Sequence, residues 1–192
     1  MMPKSENREY RAIVNFNTNE EEYIIEGYAC VFDAEYSIGA YNETIHRGAF
    51  AECDLSDTIL QVEHTGKVYA RTKNNTLSLG IDEHGLKIRA DLSKTEDGKK
   101  LYEEIKAGMY DKMSIGFIVD TDYYDLITRH ITGIRKLYDV SVVAFPASEY
   151  TEVTARNIES GFAEARHLDE MKKAELEKQK QKLRILCMCG KE

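Results

Sequence analysis

Hydrophobic and polar residues alternate with a period of two in many short segments before Pro146, which is the pattern of β-strands. In the clearest segment, Leu86–Leu92, apolar residues at every second position alternate with Lys87, Arg89 and Asp91, so one face should be buried. The pattern predicts about seven strands, at residues 8–16, 22–32, 59–64, 76–81, 86–92, 112–120 and 134–145, with a shorter one at 68–70. The polar run at 17–22 predicts the first turn. This order favours a mainly β fold with helices (α+β), in which a mostly antiparallel sheet is closed or curled on itself.

One segment inside this series has the pattern of a helix. Ser93 and Glu96 have the spacing of a capping box, in which each side chain bonds the other residue's backbone N–H. Leu101 and Ile105 lie four residues apart and would share one face, and Gly108 occupies the place of a C-terminal glycine. The sequence therefore predicts one helix over Ser93–Gly108.

The chain changes character after Asn157, where Glu, Lys, Gln and Ala dominate up to Leu186. The apolar residues of this part recur at helical spacing, as Ile158, Phe162, Ala165, Leu168 and Met171. We therefore divide the chain into a domain at 1–156 and a charged amphipathic helical tail at 157–192. The tail is a solvated helix packed on the domain, a frayed tail, or a helix for docking and assembly.

Composition excludes several classes of protein. The chain has 192 residues, 42% of them hydrophobic, and a formal net charge of −8, which argues against nucleic-acid and anionic-membrane binding. We find no run long enough to cross a membrane and no signal sequence, so a cytoplasmic location is expected. Four cysteines, Cys30, Cys53, Cys187 and Cys189, are then expected to be reduced thiols. No cofactor or metal is predicted, because Cys187 and Cys189 alone do not complete a tetrahedral site.

The strand Lys112–Val119 carries the residue of greatest chemical interest. Ser114 and Gly116 share one face of it, and apolar side chains occupy the other. A small hydroxyl followed by glycine leaves space in which a polypeptide could approach the backbone. The simplest interpretation of Ser114 is nevertheless a small core residue whose hydroxyl bonds a neighbouring carbonyl.

Two further residues could combine with Ser114. His64 ends the strand at 59–64, and Asp139 lies in the next strand after Ser114, within an apolar run where a carboxylate needs a partner. A serine becomes a useful nucleophile when a base takes its proton and an acid orients that base. His64 and Asp139 could instead be ordinary structural residues. The alternative candidates are Ser141 as nucleophile, His130 in a polar segment expected to be mobile, and the loop residues His46 and His84.

Several segments together resemble the caudovirus (HK97-type) prohead maturation protease family. They are GYACVF at 27–32, ETIHRGAF at 43–50, VEH at 62–64, TLSLGIDEHGLKIRADL at 76–92, LYEEIKAGMYDKMSIGFIV at 101–119 and LYDVSVVAFPASEYTEV at 137–153. The pairing of KMSIGF with YDVSVVAFPA is the most specific part. The resemblance covers most of the predicted domain.

The resemblance implies a serine protease related in fold to the herpesvirus assemblins, with an assemblin-like barrel. Such an enzyme would cleave the scaffolding part of the major capsid protein, and itself, inside the immature capsid in the host cytoplasm, and it could act as a homo-oligomer. The family's serine falls on Ser114, its histidine on His64 and its acid on Asp139. This chain has Glu63-His64-Thr65 where the family often has Asn-His-Asp, and Asp139 where it often has Glu, so its third catalytic position would hold a shorter acid.

Two other functions remain open. A non-enzymatic capsid scaffold or assembly protein could keep this fold and bind partners through the charged C-terminal helix. A metal-dependent hydrolase could use His64, His46 and Asp139, although the chain has no HExxH motif. The protease is favoured because Ser114, His64 and Asp139 all fall on the catalytic positions of the family that the chain resembles.

Overall fold

The computed structural model describes residues 9–12, 16–19, 23–38, 41–144, 162–163 and 165–180. The described strands are β1 (Glu9–Ala12), β2 (Phe16–Asn19), β3 (Ile24–Val31), β4 (Glu35–Ile38), β5 (Tyr41–Ile45), β6 (Ile59–Val62), β7 (Thr65–Arg71), β8 (Leu77–Ile81), β9 (Gly85–Asp91), β10 (Lys112–Tyr124) and β11 (Thr128–Val143). Helix α1 spans Glu96–Lys106, and 3₁₀ turns occur at Arg47–Phe50 and Thr72–Asn74. The prediction of a mainly β fold with helices is confirmed.

The long hairpin of β10 and β11 organises the larger sheet. One edge of β11 pairs antiparallel with β10, and β10 pairs in turn with β1. The opposite edge of β11 is shared, because its first part pairs parallel with β5 and its last part pairs parallel with β6. Strands β4 and β7 extend β5 and β6 as antiparallel partners. This arrangement brings the end of β6 next to the end of β11.

A second sheet, in the order β2-β3-β9-β8, contributes to the same hydrophobic core. Its inward residues include Ile25 and Ile88, and those of the larger sheet include Ile115 and Val140. Leu101 and Ile105 of α1 belong to this core as well, as their four-residue spacing predicts. Burial of these side chains in one cluster holds both sheets and the helix together.

The prediction of a closed barrel is wrong. The described strands form two open sheets, one of seven and one of four strands, instead of a single closed sheet of about seven. In the larger sheet β1 and β4 are edges and do not pair with each other. A period of two shows which face of a strand is buried but says nothing about its edges, so it could not distinguish one curled sheet from two. The mostly antiparallel pairing is confirmed, with β11 providing the two parallel exceptions.

Two local predictions also need correction. Phe16–Asn19 is a strand that pairs with β3, although its polar residues predicted a turn. Strands β10 and β11 are longer than predicted. In the turn that connects them, the Asp125 carboxylate accepts hydrogen bonds from the backbone N–H groups of Ile127 and Thr128. His130 therefore lies in β11 and not in a mobile segment.

Helix α1 begins later than the capping-box pattern predicted. Its N-cap is Thr95, whose hydroxyl accepts from the N–H of Gly98 at 3.0 Å, while the Ser93 hydroxyl donates to Asp91. Gly98 allows this start, because a Cβ there would lie 2.3 Å from the Leu92 carbonyl oxygen. The predicted end is confirmed, since Gly108 follows the helix with a φ of +78°.

Residues 162–163 and 165–180 are helical, which confirms the C-terminal helix. Phe162 is fully buried, stacked on Tyr41 at 4.2 Å between ring centroids and edge-on to Tyr124 at 5.0 Å. Leu168 and Met171 of the predicted stripe are about half exposed, with 50% and 57% accessibility. Ile158 and the boundary at residue 156 lie outside the described residues, so the domain division stays a prediction. Neither described helix has the length and apolar character that a bilayer crossing requires.

Candidate active site

Ser114 lies near the start of β10, where the strand has neighbours on both sides. Its partners are Ala12 of β1 and Ser141 of β11, and it is completely buried. Gly116, two residues further on the same face, lies opposite Asp139. The β10–β11 pairing therefore brings the serine and the acid to adjacent rows of one sheet, as two neighbouring antiparallel strands should.

His64 reaches this site from a tight turn. Val62 pairs with Thr65, so Glu63 and His64 form a two-residue connection between β6 and β7. Both have positive φ, 50° for Glu63 and 55° for His64, as the hairpin turn called type I′ requires. His64 was predicted at the end of a strand, but β6 ends at Val62. Because β6 pairs with the last part of β11, this turn lies beside the strand that carries Asp139.

The three side chains form one continuous hydrogen-bonded chain. His64 Nδ1 lies 2.6 Å from Asp139 Oδ1, and His64 Nε2 lies 2.6 Å from Ser114 Oγ. Asp139 is 2% exposed, and the His64 side chain is 11% exposed. A carboxylate accepts hydrogen bonds and does not donate them, so Nδ1 carries the proton and Nε2 is the acceptor that faces the serine hydroxyl. The tautomer is thus the one that a general base needs.

Ser141 completes the surroundings of the acid. It is fully buried, and its hydroxyl donates to the same Oδ1 atom of Asp139 at 2.7 Å. Ser141 is the alternative candidate for the nucleophile, but its hydroxyl is directed to the carboxylate and not to a histidine. Its spacing of two residues from Asp139, which places both on one face of β11, is the sequence signal for this contact.

The alternative histidines form contacts elsewhere. His46 Nε2 lies 3.1 Å from His130 Nδ1, and His130 Nε2 lies 3.0 Å from Asp125. His84 packs edge-on against the Tyr28 ring at 4.6 Å. Among the described residues, no three His, Cys, Asp or Glu side chains are grouped as metal ligands would be. A metal site made of His64, His46 and Asp139 is therefore not formed.

The described cysteines are poorly suited to act as nucleophiles. Burial raises the pKa of the Cys30 thiol far above its ordinary value, with a further contribution from the Glu43 charge. Burial also raises the pKa of Cys53 to about 11. Both thiols are protonated at neutral pH, and a protonated thiol is a weak nucleophile. Cys187 and Cys189 lie outside the described residues.

Residues 10–173 match the family model of the caudovirus prohead serine proteases. The chain belongs to this family. It is also similar to the prohead protease of Enterobacteria phage HK97, with 29% identity over 160 residues that cover 81% of this chain and 70% of the relative. No solved structure gives a significant match. The family membership confirms the prediction of a phage prohead maturation protease, which acts on capsid proteins within the prohead, whereas the relationship to the assemblin fold stays a prediction.

Proposed function

We propose that this prohead protease is a serine endopeptidase in which Ser114 is the nucleophile, His64 the general base and Asp139 the orienting acid. The observation that supports this most directly is the hydrogen-bonded chain Ser114–His64–Asp139, with both contacts of His64 at 2.6 Å. The three residues come from separate parts of the sequence, and an unbroken chain of this kind is the arrangement that activates a serine.

The proposed reaction is acyl transfer in two halves. Ser114 Oγ attacks the carbonyl carbon of the scissile peptide bond while His64 Nε2 takes the hydroxyl proton. The imidazolium then donates that proton to the leaving amine, and the C–N bond breaks to leave an acyl-enzyme ester on Ser114. A water molecule activated by His64 hydrolyses the ester and restores the serine hydroxyl. Asp139 stays ionised throughout and stabilises the imidazolium through Nδ1–H.

We further propose that the substrates are the scaffolding part of the cognate major capsid protein and the enzyme's own chain, cut within the immature capsid in the host cytoplasm. The family supports this, because its members are prohead proteases. The C-terminal helix, attached to the domain through Phe162, is a candidate region for self-cleavage. A purely structural scaffold protein would not need the Ser114–His64–Asp139 chain, so we rank that alternative second.

The experiment is co-expression of the full chain with the cognate major capsid protein, followed by intact-mass analysis of both. We expect wild type to shorten the capsid protein and itself, and Ser114→Ala to leave both at full length. Ser78→Ala is the matched control, because it removes an exposed hydroxyl from β8, away from the site, and should cleave as wild type does. Identical, uncut chains in wild type and Ser114→Ala that still co-purify would reject the protease and favour the scaffold.

A further inference from the structure

The turn that carries His64 adopts a left-handed backbone conformation that its first residue, Glu63, disfavours. Both Glu63 and His64 have φ values in the left-handed region, at 50° and 55°. Gly, Asn, Asp and His tolerate this region, so His64 suits its place in the turn, whereas Glu has no such preference. A turn of this kind is maintained only if contacts around it determine its geometry. Contacts from outside the turn must therefore hold it in place.

Glu63 makes contacts on the strand that carries Asp139. Its backbone N–H donates to the Val142 carbonyl at 3.1 Å, and its Oε1 atom accepts the backbone N–H of Ala144 at 2.7 Å. Ala144 directly follows the end of β11 and lies beyond the last residue pair of β10 and β11, so its N–H does not bond to β10. The Glu63 side chain thereby connects the His64 turn to the end of the strand on which Asp139 lies.

We infer that Glu63 is a positioning residue, which fixes the His64 turn against β11 so that the imidazole stays between Ser114 and Asp139. This inference rests on the proposed function. Ala144 directly follows β11 and lies five residues beyond Asp139, so a shift of the turn away from this anchor would displace His64 relative to both of its partners. Misplacing a catalytic group by about 1 Å can reduce the rate by about 100-fold. The contact between Glu63 and Ala144 prevents that shift.

Side-chain reach and backbone preference make opposite predictions for substitutions at residue 63. Aspartate tolerates the left-handed region better than glutamate does, but it is one methylene shorter and should not reach the Ala144 N–H. Glutamine has the same reach as glutamate and keeps an oxygen acceptor. If the backbone alone matters, Glu63→Asp should match or exceed wild type. If the side-chain contact matters, Glu63→Gln should retain activity and Glu63→Asp should lose it.

The test is the rate of cleavage of the cognate major capsid protein by full-length enzyme, resolved into kcat and KM. We expect Glu63→Asp and Glu63→Gly to lose about 10- to 100-fold in kcat with little change in KM, and Glu63→Gln to stay within about threefold of wild type. Glu83→Asp, in the turn between β8 and β9, is the matched control and should behave as wild type.

Wild-type kcat in Glu63→Asp or Glu63→Gly would overturn the inference. So would equal losses in Glu63→Gln and Glu63→Asp, since then the contact that glutamine preserves would not matter. Thermal unfolding of each variant shows whether it folds, and if Glu63→Gly does not, the comparison of Gln with Asp is sufficient. Ser114→Ala separates the two claims: cleavage by that variant rejects the proposed function itself, whereas an inactive Ser114→Ala beside a fully active Glu63→Asp rejects only the role of Glu63.

Discussion

Ser141 donates its hydroxyl hydrogen bond to Asp139 Oδ1 at 2.7 Å, and the same oxygen receives Nδ1–H of His64 at 2.6 Å. One oxygen of the buried Asp139 carboxylate therefore accepts hydrogen bonds from two side chains. Because a buried carboxylate needs such donors, Ser141 should help to fix the orientation of Asp139.

Ser141→Ala should lower kcat by roughly 10-fold with KM unchanged, because a hydrogen bond to a charged group is lost while the other two residues stay in place. Asp139→Asn should be more severe, by about 10³- to 10⁴-fold, because the amide favours the wrong imidazole tautomer. The informative measurement is the double variant. If Ser141 acts through Asp139, Ser141→Ala should cost nothing further in the Asp139→Asn background; a full additional 10-fold loss would contradict this.

Ser114 and His64 should act as one unit. Each of Ser114→Ala and His64→Ala should reduce cleavage by roughly 10⁴-fold or more, and the double variant should be no worse than either single one. Cleavage of the capsid protein followed over long times provides the rates. Losses that multiply in the double variant would show that the two side chains contribute independently, against the proposed proton transfer between them.

Phe162→Ala should release the C-terminal helix from the domain. The ring is fully buried between Tyr41 and Tyr124, and replacing such a phenylalanine with alanine typically costs about 3 kcal/mol or more. Hydrogen exchange with mass spectrometry should show faster exchange over 162–180 and little change in β10 and β11. Leu168→Ala is the control, because Leu168 is half exposed and should leave exchange unchanged. Equal protection of the helix in both variants would contradict the docking role of Phe162.

Asp54 should make the fold sensitive to acid. The Ser56 hydroxyl and N–H, and then Lys136, lower the pKa of Asp54 to about 2. A carboxyl whose pKa is lower in the folded than in the unfolded chain stabilises the fold above its unfolded pKa of about 4, and this contribution disappears as the pH falls toward 2. Asp54→Asn should therefore be less stable than wild type at pH 5–7, with the difference shrinking between about pH 4 and 2.

Urea unfolding at a series of pH values measures this difference. Glu52→Gln, which changes a neighbouring exposed carboxylate, is the matched control and should follow wild type throughout. A gap between Asp54→Asn and wild type that stays constant from pH 7 to 2 would show that the ionised form of Asp54 does not stabilise the fold.

Much of the local structure follows from the sequence because it depends on neighbouring residues. Alternation predicted the central strand that carries Ser114, and the spacing of Leu101 and Ile105 predicted the buried face of α1. The sequence motifs around Ser114 and Asp139 indicate the family without any structure. Residue type and resemblance point to Ser114, His64 and Asp139, and the catalytic roles of these residues stay predictions that the Ser114→Ala experiment tests first.

The tertiary structure alone decided how these pieces meet. The strands form two open sheets instead of a barrel. Strand β11 pairs with β10 on one edge and with β5 and β6 on the other, and the pairing with β6 brings the His64 turn beside Asp139. The sequence could not show this, because a period of two reports the faces of a strand and not its edges. The contacts of Glu63 with Ala144 and of His64 with Ser114 join residues that are 81 and 50 positions apart, and only the folded chain determines such distances.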